Sequence, residues 1–260
     1  MRAGDPGPAS DGDAGAPTAR IVCGGVGWGV RRGEAPRSNM IRAVVFDLDG
    51  TLVDSRKDLA DATNALIRDL GGTPLPDESI VRMVGEGVSV LVRRALAAAS
   101  LDPETPSAVD RFLRLYDARL LNHTVPYDGT VDMLKGLRDR YHLSVLTNKP
   151  ARPTTRVLEG LQLIRFFERV IGGDTPLGRK PDPTGLLHLA REAGATPRST
   201  LLVGDSAVDL RTARNAGTRV CLARYGFGYR FEPSAFRGDE SFIDAPGELP
   251  ALLESLITNH

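Results

Sequence analysis

The sequence predicts an α/β protein, a doubly wound, Rossmann-like parallel sheet with a block of helices inserted after its first strand. Three observations carry this expectation. The apolar run Val44-Val45-Phe46 is cut off by Asp47-Leu48-Asp49-Gly50-Thr51, as expected of a buried strand that ends in a loop. Residues 55–126 then show only helical periodicity. From Asp128 onward, helix-like and strand-like stretches alternate with short connections, the pattern of parallel strands joined by crossover helices.

In chain order, residues 1–39 are rich in Gly, Ala, Pro, Asp and Arg and lack sustained periodicity, so a disordered tail is expected. Its one apolar patch, residues 21–30, is broken by glycines and lies far from a basic start, which argues against an export signal. Met40, immediately before the first strand, is a candidate biological start. The core is expected over 40–54 and 127–260, with a helical domain over 55–126.

Ser55 and Asp58 have capping-box spacing, and Leu59, Thr63, Leu66, Ile67 and Leu70 then fall on one helical face that Gly71 and Gly72 close. A second helix follows Gly87, with Val88, Leu91, Val92, Ala95 and Leu96 on its stripe. Ser107 opens a third, with Val109, Phe112, Leu113, Tyr116 and Leu120 aligned. No strand is expected in this region. Beyond it the pattern reads helix 130–140, strand 142–147, a helix after Lys149, and a short strand at Val170-Ile171. Asp182 then caps a helix with Pro183 at its first position, and Gly194 ends it. Strand 200–203, a helix ending at Gly217, strand 218–222 and a terminal helix over 248–257 complete the chain.

Composition narrows the partners. Of 260 residues, 41% are hydrophobic and 25% charged, which is ordinary for a soluble globular protein. Lys+Arg and Asp+Glu both number 33, so no net field draws nucleic acid or an anionic membrane, and any anion selectivity must be local. No apolar run reaches the roughly 18 residues of a membrane span. Cys23 and Cys221 stand far apart without metal spacing, and four scattered histidines give no zinc pattern. Reduced thiols and a cytoplasmic location are the expectation.

Four segments bring chemistry to strand ends. Asp47 and Asp49 follow the first strand, Thr147 and Asn148 follow another, and Lys180 sits in a proline-stiffened loop before Asp182. Asp205 ends a further strand, with Ser206 next and Asp209 four residues on, a spacing that would stack both acids on one helical face. In an open sheet these ends share one edge, where ligands bind. Carboxylates with few neutral ligands suit a hard ion such as Mg²⁺, and a lysine with a hydroxyl suits a phosphoryl group. No phosphate-cradling Gly-x-x-x-x-Gly-Lys-Ser/Thr loop occurs and no Ser or Cys stands beside a histidine, which leaves an aspartate as candidate nucleophile.

Asp47-Leu48-Asp49-Gly50-Thr51-Leu52-Val53-Asp54, Thr147-Asn148, Lys180-Pro181 and Gly204-Asp205-Ser206-Ala207-Val208-Asp209 together resemble the four motifs of the haloacid dehalogenase superfamily. Residues 83–91, Thr147-Asn148-Lys149-Pro150 and Tyr225-Gly226-Phe227-Gly228-Tyr229 resemble the phosphoglycolate phosphatase branch. The resemblance covers about residues 41–256. It implies Asp47 as nucleophile and Asp49 as general acid/base, with Gly50, Thr51, Thr147, Asn148 and Lys180 around the phosphoryl group. It further implies Mg²⁺ held by Asp47, the Asp49 carbonyl and Asp205, with Asp209 and Ser206 behind them. The inserted helices correspond to that family's mobile cap.

Asp49 argues against the dehalogenase and phosphonatase branches, whose chemistry needs no acid there. Phosphatases for pyrophosphate or sugar phosphates, a β-phosphoglucomutase-like phosphotransferase and a non-catalytic binding protein remain as alternatives. The substrate is expected to be a small phosphorylated metabolite selected by the cap, where Gly85, Gly87, Arg93 and Arg94 are the candidate specificity positions.

Overall fold

The computed structural model describes residues 40–258, so the expected tail and Cys23 lie outside the described residues. The first apolar run is strand β1 (Ala43–Phe46), buried at every position. A two-residue strand β2 (Val53–Asp54) leads into helices α1 (Arg56–Asp69), α2 (Asp77–Val81), α3 (Val88–Ala98) and α4 (Ala108–Asp117), then strand β3 (Val125–Pro126). The alternating part contains α5 (Thr130–Leu137), β4 (His142–Leu146), α6 (Ala151–Gly160) and β5 (Arg169–Ile171). It continues through α7 (Thr184–Glu192), β6 (Thr200–Gly204), α8 (Ala207–Ala216), β7 (Arg219–Ala223), β8 (Ser241–Ile243) and α9 (Leu249–Thr258).

Six strands form one parallel sheet in the order β5-β4-β1-β6-β7-β8. Alternation across the pleat feeds two apolar clusters. Val44, Phe46, Val145 and Val203 enter one, whereas Val45, Leu146, Leu202 and Leu222 enter the other, against Leu186 and Leu189 of α7 and Leu210 of α8. The sheet is therefore covered on both faces, as the sequence predicts. Full burial of a side chain such as Phe46 or Leu134 stabilises the fold by about 1.5–3 kcal/mol. The helical insertion shares the first cluster through Leu66, Ile67, Leu96 and Phe112. Among the described residues, no helix is long and apolar enough to cross a membrane.

Several expectations are corrected. The insertion does contain a strand: β3 pairs antiparallel with β2, Val53 opposite Pro126 and Asp54 opposite Val125, closing its base. Two residues are too few to show alternation, and Pro126 weakens the strand signal further. Helix α2 and edge strand β8 also escape the sequence reading because each is five residues or shorter. Helix α7 starts at Thr184, with Pro183 as N-cap, while the Asp182 carboxylate accepts the Thr184 N–H at 2.8 Å.

The Ser55–Asp58 capping box does not form. The Ser55 hydroxyl donates instead to Asp49 Oδ1 at 2.6 Å. Asp58, fully buried, accepts from the His123 and Thr124 N–H groups and from the Thr124 hydroxyl at 2.7–3.1 Å. A cap contributes about 1 kcal/mol, less than the cost of leaving the buried Asp58 carboxylate and Thr124 N–H unpaired, so the tertiary use wins. Replacing Asp58 by alanine should therefore lower the unfolding free energy by about 2–4 kcal/mol in urea titration. A change below about 0.5 kcal/mol, the level of an ordinary surface substitution, would show that these bonds do not hold the insertion's base.

Candidate active site

Strand register assembles the site. Phe46 lies opposite Val145 on one side and Val203 on the other, so Asp47, Thr147 and Asp205 leave the sheet along one edge. The Asp47 N–H donates to Val203 O at 2.9 Å, extending the ladder to the first acid. Lys180, from the loop before α7, places Nζ 2.9 Å from Asp47 Oδ1 and 2.6 Å from Asp209 Oδ1. Carboxylate oxygens of Asp47, Asp205 and Asp209 all lie within 4.8 Å of one another.

Asp205 and Asp209 converge by a route other than the predicted one. Asp205 precedes the N-cap Ser206 and is not on α8, so a turn and not a shared helical face joins them. Ser206 and Asp209 form the capping box that Ser55 and Asp58 do not: the Ser206 hydroxyl and N–H donate to Asp209 Oδ2 at 2.5 and 3.0 Å.

Burial pushes the Asp47 carboxyl up to about 6, with Asp209 reinforcing the rise and Lys180 opposing it. Asp205 is raised well above the usual carboxylate range by burial and by its acidic neighbours Asp209 and Asp47. Burial would pull the Lys180 ammonium down, but Asp209 and Asp47 outweigh it and hold the group above its ordinary value. With all three carboxylates ionised, one ammonium would leave two negative charges in excess. An all-oxygen donor set with that excess fits a hard divalent cation.

Backbone packs directly on Asp205. A Cβ at Gly50, whose φ is +90°, would lie 2.0 Å from Asp205 Oδ2, and one at Gly226 would lie 2.2 Å from Asp205 Cβ. Gly228 N–H donates to Asp205 Oδ2 at 2.7 Å, and the Tyr225 hydroxyl donates to Thr51 O at 2.9 Å, pinning residues 225–228 over the first loop.

A cavity of about 60 Å³ lies between this edge and the helical insertion. Asp47, Asp49, Thr147, Asn148, Asp205 and Ser206 line it from the sheet side, and apolar residues such as Val88, Leu91 and Phe112 from the other. Asp49 is held by the Ser55 hydroxyl and by Lys149, whose Nζ is 3.0 and 3.1 Å from its two oxygens. Lys149 Nζ also donates to the Tyr116 hydroxyl at 2.5 Å and lies 4.6 Å from that ring's centroid. Burial would lower the Lys149 ammonium, yet Asp49 and Tyr116 raise it above its ordinary value.

Other predicted site residues distribute differently. Gly50 and Thr51 donate their N–H groups inside the turn, to Val53 O at 2.9 Å and Leu48 O at 3.2 Å. Asn148 reaches the cavity, but its amide donates to Gly85 O and Lys180 O, both at 3.0 Å. Gly85 and Gly87 line the cavity. Arg93 and Arg94 do not: they are exposed on α3, near Glu104 at 3.9 Å and Glu86 at 2.7 Å respectively. The sequence reading gave no role to Lys149 and Tyr116. A cation beside Thr147-Asn148 was the available signal for Lys149, whereas Tyr116 is indistinguishable in sequence from a core stripe residue.

A profile of the haloacid dehalogenase-like hydrolases matches residues 44–223. Phosphoglycolate phosphatase 1 of Pseudomonas aeruginosa is 40% identical over 195 residues, 72% of this chain and 71% of that protein. The phosphoglycolate phosphatase of Rhodospirillum rubrum is 41% identical over 213 residues, covering 79% and 88% respectively. A crystal structure of a predicted phosphoglycolate phosphatase from Haemophilus somnus superposes with a TM-score of 0.74 at 28% identity, over 82% of this chain and 97% of that one. The chain belongs to the haloacid dehalogenase-like hydrolase family.

Because Arg93 and Arg94 face solvent, changing both to alanine should leave kcat/KM for any phosphate monoester within about twofold, or roughly 0.4 kcal/mol. A loss of about tenfold or more would place one of them at the substrate.

Proposed function

We propose that the protein is a Mg²⁺-dependent phosphatase that hydrolyses 2-phosphoglycolate through an aspartyl-phosphate on Asp47. The observation that carries this reading is the buried Asp47–Lys180–Asp209 cluster, whose Asp47 lines a small cavity, with Asp49 separately held beside it. The similarity to curated phosphoglycolate phosphatases supports the substrate class.

In the proposed reaction the Asp47 carboxylate attacks phosphorus while the ester oxygen leaves and takes a proton from Asp49. Asp49 then accepts a proton from the water that attacks phosphorus, releasing inorganic phosphate and restoring the Asp47 carboxylate. Ser55 and Lys149 orient Asp49 for both transfers. The Thr147 hydroxyl donates to a phosphoryl oxygen, and Lys180 balances charge between Asp47 and the phosphoryl group. The carboxylates of Asp47 and Asp205 and the backbone carbonyl of Asp49 would hold Mg²⁺, with Asp209 anchoring Lys180 behind them. Bound there, the ion would supply electrostatic stabilisation of the transferring phosphoryl group. Residues 55–126 form the cap that closes this site and restricts it to small esters. The full set of acids and the lysine favours catalysis over mere binding.

Steady-state kinetics on 2-phosphoglycolate, pyrophosphate and glucose phosphates tests the substrate. We expect kcat/KM for 2-phosphoglycolate to lead by at least about tenfold. Chelation should abolish turnover and Mg²⁺ should restore it. A higher kcat/KM for pyrophosphate or a sugar phosphate, or full turnover after exhaustive metal removal, would contradict the proposal.

A further inference from the structure

We propose that Lys149 is the residue that binds the carboxylate of the substrate, held in position by Tyr116 of the helical insertion. This inference rests on the reading of the protein as a 2-phosphoglycolate phosphatase and assigns the part of that substrate which the phosphoryl site does not touch.

The electrostatics of the cavity carry the argument. A substrate with a carboxylate beside its phosphoryl group brings a second anion into a space already lined by Asp47, Asp49 and Asp205. Among the residues lining that cavity, Lys149 is the one cation. Lys180 lies behind Asp47, engaged by Asp47 and Asp209. The arginines of α3 point away to solvent. The Lys149 side chain is only 4% exposed, and Leu91, Phe112 and Leu113 stand around the same space, so the charge acts in a poorly screened environment.

Distance agrees with charge. The leaving ester oxygen must come within about 2.6–3.2 Å of an Asp49 carboxylate oxygen to receive its proton. Lys149 Nζ is 3.0 Å from Asp49 Oδ1. A carboxylate one methylene beyond the ester oxygen therefore falls within reach of the same ammonium. Lys149 Nζ contacts three acceptors, both Asp49 oxygens and the Tyr116 hydroxyl, so an incoming carboxylate takes the place of one Asp49 oxygen while the other stays bound. The Tyr116 hydroxyl, 2.5 Å from Nζ, fixes the ammonium at the seam between insertion and sheet, where the non-phosphoryl end of a substrate must lie.

The test compares 2-phosphoglycolate with ethyl phosphate, in which a methyl group replaces the carboxylate, and reads the ratio of their kcat/KM values. The unmodified protein should favour 2-phosphoglycolate. Lys149→Met should lower that ratio at least about tenfold, with KM for 2-phosphoglycolate taking most of the change, and Lys149→Arg should recover part of it. Tyr116→Phe, which removes only the hydroxyl, should move the ratio in the same direction by about threefold and keeps the question answerable if the Lys149 variants do not fold. An equal fall for both esters would show that Lys149 serves only to orient Asp49, and an unchanged ratio would show that it does not meet the carboxylate. Either result overturns this inference while the phosphatase reading stands. No preference for 2-phosphoglycolate in the unmodified protein would overturn the substrate reading and this inference with it.

Discussion

The Lys180 ammonium held between Asp47 and Asp209 is the interaction on which the rest of the site depends. All three groups are buried, and an unpaired buried charge costs several kcal/mol. The surroundings offset that cost one group at a time. Ser206 satisfies Asp209 through a helix cap, and the Gly228 N–H satisfies one oxygen of Asp205. The balance still leaves acid in excess, which is why burial and neighbouring carboxylates push Asp47 and Asp205 upward together. Holding acids this close costs stability, and in the proposed reaction a bound cation and an incoming phosphoryl group would offset that cost.

Position follows from the sheet. Because β1 lies between β4 and β6, three neighbouring strands deliver Asp47, Thr147 and Asp205 to one edge, the last two one residue beyond the level of Asp47. Asn148 then ties two further segments to that edge, donating to Lys180 O in the lysine loop and to Gly85 O in the insertion. Lys149 and Tyr116 make a second link between sheet and insertion, directly beside Asp49. In the proposed reaction, closure of the cap and placement of the acid/base are therefore parts of one hydrogen-bonded arrangement.

Much of this was legible in the sequence. Strand β1 and the acids after it stand out because an apolar run stops abruptly at Asp47, and the parallel sheet follows from helix–strand alternation. Asp205 and Asp209 were paired correctly, though a turn and a cap bring them together and not a helical face. What escaped depends on long-range geometry. Ser55-Arg56-Lys57-Asp58 and Ser206-Ala207-Val208-Asp209 have the same capping spacing, yet only the second forms a box. The first is drawn away by Asp49 and by the backbone at His123 and Thr124, partners that local sequence cannot reveal. Tyr116 reads as core and Arg94 as a candidate ligand for the same reason: helical periodicity gives a face but not what the face meets.

In the proposed reaction, Asp47 takes the phosphoryl group and Asp49 moves the protons. Rapid mixing of the Asp49→Asn variant with p-nitrophenyl phosphate tests it most directly. That ester's leaving group needs little acid assistance, so transfer to Asp47 should proceed, while an amide at position 49 cannot activate the hydrolytic water. A nitrophenolate burst approaching one per site and a phosphate adduct on the peptide containing Asp47 are expected, with no burst in Asp47→Asn. Steady turnover by Asp49→Asn at the unmodified rate, or an adduct on a different residue, would contradict it.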